Sequence, residues 1–149
     1  MLRLPPPIWA MIWLGLAAVA SWALGWPPIP FLPVHEIVGI VIFFGGWILP
    51  VWAIRTFNVE GTELDPLSTA NAKLVTHAPY GVSRNPMYLG LVVATLGMAI
   101  WVGSWPMLAA PVLTFLTADR VHVPFEEAKM RRQFGGDFDA YVARVRRWL

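Results

Sequence analysis

The sequence predicts an all-α polytopic membrane protein of about four transmembrane helices, followed by a C-terminal amphipathic helix at the membrane interface. Three observations predict it. The 149-residue chain is 57% hydrophobic and 13% charged, against roughly 45–50% and 25% in soluble domains. Three long stretches, Leu4 to Val34, Ile37 to Ile54 and Asn85 to Ala118, carry no Asp, Glu, Lys or Arg. All 11 Lys and Arg residues fall on one membrane face when the number of spans is even, the asymmetry that cytoplasmic loops acquire during insertion.

The first span is read at 8–26. Pro5-Pro6-Pro7 and Pro27-Pro28-Ile29-Pro30 bracket it, because proline cannot continue a helix. Trp9, Trp13, Trp22 and Trp26 suit interfacial anchoring of a retained span rather than a cleaved secretory signal. Span two, 35–54, carries Gly45-Gly46 and Pro50; proline's missing donor predicts a kink at its inner end. A cytoplasmic loop, 55–86, follows, which Pro66, Pro79 and Pro86 restrict and Leu74, Val75 and Tyr80 give reason to order. The third uncharged stretch divides at Gly103-Ser104-Trp105-Pro106 into spans 87–102 and 105–120. A cytoplasmic tail, 121–149, continues the last helix to Gly135-Gly136; Asp137 then caps an amphipathic helix with Phe138, Tyr141, Val142, Val145 and Trp148 toward lipid. The chain is thus one membrane-embedded domain, expected in a bacterial inner membrane with both termini cytoplasmic. Its basic residues, including Arg3, Arg55, Lys73 and Arg84, point to membrane lipids rather than nucleic acid. No required protein partner is indicated, and the absence of Cys excludes disulfides and a thiol nucleophile.

Two clusters carry chemistry. In the first, Asn85 is a favourable N-cap and Pro86 a favourable first helical residue, leaving the amides of Met87 and Tyr88 at the positive end of span three, an anion site. Arg84 adds permanent charge, and the rings of Tyr80 and Tyr88 offer faces for a sulfonium or an adenine. In the second, Asp119, His122 and Glu126 lie three and four residues apart and so share a helical face, beside Arg120 and Glu127. Three such groups suit a metal or a ligand ammonium; no metal is assigned.

The two stretches, in this order, resemble the isoprenylcysteine carboxyl methyltransferase and phospholipid methyltransferase superfamily. The matching elements are Leu74-Val75-Thr76, Pro79-Tyr80, Arg84-Asn85-Pro86-Met87-Tyr88-Leu89-Gly90, Glu126-Glu127, Phe134-Gly135 and Tyr141. The resemblance covers residues 60–149, and it implies S-adenosylmethionine as cofactor and a lipid-like or small hydrophobic methyl acceptor. It places the cofactor against Lys73, Leu74, Val75, Tyr80, Asn85, Pro86, Met87 and Tyr88, with Arg84 beside them and Glu126 on the amino group. Chemistry at the acceptor then falls to His122, Arg120 and Glu127. The sequence departs in two places: Ala78 replaces the usual glycine before Pro-Tyr, and His122 stands where eukaryotic relatives place a substrate-binding arginine. The chain also lacks a G-x-G-x-x-G after any strand. An NADPH-dependent reductase of the same superfamily and a small four-helix transporter are the alternative readings.

Overall fold

The computed structural model describes residues 4–30, 34–61 and 73–149. Arg3, Pro66 and part of the turn after span one, to which the sequence assigns roles, lie outside the described residues. Among the described residues the fold is all-helical, with α1 (Pro6–Ala23), α2 (His35–Gly46), α3 (Ile48–Glu60), α4 (Pro86–Val102), α5 (Ala109–Thr117), α6 (Val123–Phe134) and α7 (Gly136–Arg144). Two helical runs, Pro6–Ala23 and His35–Glu60, are long and apolar enough to cross a membrane, with Pro86–Val102 apolar but shorter. Only 17% and 22% of the most apolar 18-residue stretch of each longer run is buried within the protein, whereas Met11, Val19, Trp22, Ile37, Val41 and Phe44 stand exposed. A soluble core helix hides such a surface; a membrane protein turns it toward acyl chains.

Pro50 sets the break between α2 and α3. It has no N–H for the carbonyl of Gly46, so the helix yields at Trp47 and resumes. The run continues past the expected limit at Ile54 to Glu60 and ends on Gly61, at φ 64°, a left-handed cap that favours glycine. Close approach of α2 to α4 depends on four glycines. A Cβ on Gly39 or Gly97 would strike the other helix near Trp101 or Phe43, and one on Gly46 or Gly90 would strike Ala94 or the Pro50 ring. Packing of this kind replaces the hydrophobic drive that lipid cannot supply between helices.

At one end, the turns after α1 and α4 are joined: Ile29 N–H donates to the Gly103 carbonyl (2.9 Å) and Trp105 N–H to that of Pro27 (3.1 Å). Gly103, at φ 67°, lies against His35. The start of α1, the end of α3 and the start of α4 consequently lie at the opposite end, where the polar segments gather. Beyond a 3₁₀ turn at Trp105–Leu108, helix runs without interruption to Phe134.

Two expectations change there. Residues Ala118–His122 form a π-helical turn between α5 and α6, which resets the register, so Asp119 and Glu126 do not share the face that α-helical spacing assigns them. The final helix ends at Arg144, with Gly135 rather than Asp137 at its N-cap. The apolar face read as lipid-bound packs on the protein, where Phe138, Tyr141 and Val145 are buried with Leu74, Met130 and Phe134.

Candidate functional site

A cavity of about 270 Å³ opens where the polar ends of the helices meet. Pro6 and Pro7 of α1, Trp47, Pro50, Ile54 and Phe57 of the α2–α3 run, and Met87 and Leu91 of α4 form its apolar walls. The segment 73–88 and α6 supply its polar side. Every residue to which the resemblance or the charge argument gives a cofactor role, from Lys73, Leu74 and Val75 through Tyr80 and Arg84–Tyr88 to Glu126, lines this one space.

The segment reaches the cavity in a conformation that its sequence makes unusual. Ala78 has φ 53°, the left-handed region glycine adopts without cost. The turn that follows, Ala78–Gly81, places the Tyr80 ring 4.9 Å from that of Phe57. Tyr141 of α7 fixes the turn by donating its hydroxyl to the Tyr80 carbonyl at 2.7 Å. Burial pushes the hydroxyls of both tyrosines up, that of Tyr141 to about 12, so both are neutral donors.

Glu126 and Tyr88 close the far side. The Tyr88 hydroxyl donates to Glu126 Oε1 at 2.5 Å, joining the start of α4 to the start of α6. Burial pushes the Glu126 carboxyl up to about 7, while the Tyr88 hydrogen bond and the charge of Lys129 pull the other way and the Glu127 charge adds to the rise. It therefore titrates near neutrality and can receive a cation or a proton.

Glu127, one residue on, has the reverse environment. Arg84 donates to its Oε1 at 2.7 Å and Arg147 to its Oε2 at 2.6 Å. Burial opposes its charge, but the hydrogen bonds from Arg147 and Arg84 outweigh it and hold the carboxyl below its usual range. Glu127 also lines the cavity, and a carboxylate held by two guanidiniums is a fixed anion and a poor base. Arg84 is likewise committed, donating also to the Val145 carbonyl at 2.6 Å, so it neutralises Glu127 rather than offering a free cation.

Three further expectations shift. The side chain of Asn85 does not cap α4; its amide donates to the Arg147 carbonyl at 3.0 Å. The Arg120 side chain is 78% exposed and pairs with Asp119, outside the cavity lining. His122 is also outside it: 4% exposed, its ring is stacked 6.0 Å from that of Tyr88, and its Nε2 is buried with no hydrogen-bond partner among the described residues. Burial lowers its pKa, so at neutral pH it is an uncharged brace behind Tyr88. No group of three or more His, Cys, Asp or Glu residues suited to a metal occurs among the described residues.

Sequence reasoning missed Arg147 and Trp148 as partners of the site, and Phe57, Pro6 and Pro7 as its walls. Arg147 also reaches Asp119 at 3.4 Å, and the Trp148 indole donates to the same oxygen at 3.0 Å. Neither contact leaves a signal in local spacing, since the pairs are 28 and 29 residues apart.

Residues 34–137 match the sequence pattern of phospholipid methyltransferases. Two proteins named probable protein-S-isoprenylcysteine O-methyltransferase, from Oryza sativa subsp. indica and subsp. japonica, are each 25% identical over 109 residues, 72% of this chain and 57% of theirs. An uncharacterized protein of Haemophilus influenzae is 29% identical over 63 residues, 42% of this chain and 100% of its own length. The chain thus spans little more than half the length of the rice relatives. No solved structure matches.

Proposed function

Because the chain belongs to the phospholipid methyltransferase family, we propose that it transfers a methyl group from S-adenosylmethionine to a lipid-like or small hydrophobic acceptor. The observation that carries this reading is the single cavity in which Tyr80, the start of α4 and the near-neutral carboxyl of Glu126 converge between apolar walls. The residues present fit the cofactor by their chemistry. Glu126 suits the ammonium group, and the Tyr80 and Tyr88 rings offer electron-rich faces to positive charge.

When bound, S-adenosylmethionine supplies an electrophilic methyl group on a sulfonium sulfur. The protein's part is positioning: the Tyr88–Glu126 hydrogen bond fixes the ammonium-binding carboxyl, and the Tyr141–Tyr80 bond fixes the facing ring. Apolar walls exclude water, and holding two reactants in line can supply up to roughly 7–11 kcal/mol of the barrier. An apolar acceptor enters from the bilayer beside Pro6, Pro7, Ile54 and Phe57, which border the same space. The protein crosses the membrane four times in this reading, through α1, the α2–α3 run, α4 and α5, with both ends cytoplasmic. Neither the reductase nor the transporter reading is favoured by the family matched.

The test is titration of the purified protein, in lipid nanodiscs, with S-adenosylmethionine, followed by incubation of membranes with methyl-labelled cofactor. Saturable binding that Glu126→Gln weakens, and label in a lipid-soluble product, are the expected results. Folded protein that binds no cofactor would refute the proposal.

A further inference from the structure

Residues 145–149 leave the helical path: Val145 is extended, at φ −118° and ψ 129°, and the chain beyond it runs alongside the segment that opens α4. Three consecutive carbonyls meet that segment. Arg84 Nη1 donates to the Val145 carbonyl at 2.6 Å, the Arg84 backbone N–H to that of Arg146 at 3.0 Å, and the Ser83 hydroxyl and Asn85 side-chain amide to that of Arg147 at 3.3 and 3.0 Å. The side chains turn the other way. Arg147 closes on Glu127 and Asp119, while Trp148 bonds Asp119, lies 4.9 Å from the Phe115 ring and packs on the buried cluster of Tyr88, Ala118 and Val123.

We propose that residues 145–149 are a strap that fixes the two polar halves of the cavity relative to each other, with Arg147 as its positioning residue. One half carries Tyr88 on α4; the other carries Glu126 on α6, just beyond the π-helical turn. Their hydrogen bond joins the two halves at the far side of the cavity, and the Arg147 carbonyl holds the first half while its guanidinium holds the second. The strap also engages the Asn85 side chain, which does not cap α4, and the Asn85 N–H donates to the Ser83 hydroxyl oxygen at 3.1 Å instead. Trp148 supports the back of Tyr88. The consequence for cofactor binding rests on the function proposed above; the consequence for the order of residues 80–88 does not.

Hydrogen exchange on the full-length protein in nanodiscs, without cofactor, tests the strap directly. Arg147→Gln should speed exchange across residues 80–88 about tenfold, the equivalent of one charge-assisted hydrogen bond, with α1 and the α2–α3 run as protected as before. Arg147→Lys should recover part of the protection. Unchanged exchange at 80–88, or equal acceleration throughout the protein, overturns the proposal. Should Arg147→Gln fail to fold, Trp148→Phe, which deletes the indole bond to Asp119 but keeps an aromatic ring, is read by the same criteria. In parallel, S-adenosylmethionine affinity should weaken about tenfold in Arg147→Gln. If wild type binds and this variant binds equally well, the strap does not position the site. If wild type does not bind, the proposed function falls, and the exchange result still decides on the strap.

Discussion

Cofactor affinity should follow the ionisation of Glu126. Its carboxyl titrates at about 7 in the free protein, and only the ionised form attracts an ammonium group. At pH 5.5, about one molecule in thirty is ionised, so binding should be about 30-fold weaker than at the plateau, with a slope approaching tenfold per pH unit. At the other limb, the ligand's own α-amino group loses its proton near an ordinary value of about 7.7–8.0, and affinity should fall again. The optimum therefore lies between about pH 7 and 8. Isothermal titration of S-adenosylmethionine from pH 5.5 to 8.5 measures both limbs. Glu126→Gln should weaken binding at neutral pH and abolish the acid limb. Tyr88→Phe, by removing a hydrogen bond that favours the carboxylate, should move the acid midpoint upward. An acid limb that persists in Glu126→Gln, or wild-type affinity flat across the range, would refute the assignment.

The same carboxyl makes a stability prediction of opposite sense. Its folded pKa is raised from 4.5 to about 7, so the folded state is penalised progressively as pH rises from about 4.5 through 7, by about 3 kcal/mol at the top of that window. Thermal unfolding of the ligand-free protein should find Glu126→Gln more stable than wild type above pH 7, with the difference vanishing toward pH 4.5. Gly46→Ala or Gly97→Ala drives a Cβ into the facing backbone and should cost about 1–3 kcal/mol, whereas Gly45→Ala, with nothing within 4 Å, should be neutral in the same melts. Ala78→Gly removes a left-handed penalty of about 1–2 kcal/mol and adds about 0.5–1 kcal/mol of chain entropy; a net gain of up to about 1.5 kcal/mol should appear in denaturant titration. Glu127→Gln strands Arg84, which is 10% exposed, and should cost about 3–5 kcal/mol. Arg120→Ala, at a solvent-exposed guanidinium whose partner Asp119 is also held by Arg147 and Trp148, should change stability by less than about 1 kcal/mol.

The helices were legible because a membrane imposes its pattern on every residue of a span. Uncharged runs marked the apolar helices, and Pro86 and Gly135 marked where helices begin and end. Pro50 located a break to within one turn. Cavity-lining residues were legible where a local signature carried them, in the run from Arg84 to Tyr88 and in Glu126. What stayed hidden depended on long-range pairing. Helical spacing of Phe138, Tyr141, Val142, Val145 and Trp148 is the same whether that face meets lipid or protein, and Leu74, Met130 and Phe134 cover it here. The π-helical turn left no trace in composition, yet it separates Asp119 from the face of Glu126.

Glu126 and Glu127 show why residue type and position alone assign roles poorly. Both are glutamates in the first turns of α6, one peptide bond apart, and both pay for burial. Two guanidiniums, Arg84 and Arg147, converge on Glu127 and keep it charged; a neutral tyrosine meets Glu126, which burial carries to near neutrality. Divergent environments for adjacent titratable groups separate a structural anion from a responsive one. The separation depends on Arg147, since without it Arg84 alone would hold the Glu127 carboxylate against the cost of its burial. The strap and the cavity are therefore coupled through Glu127, so a change at residue 147 should be felt at Glu126 even though the two side chains share no hydrogen bond.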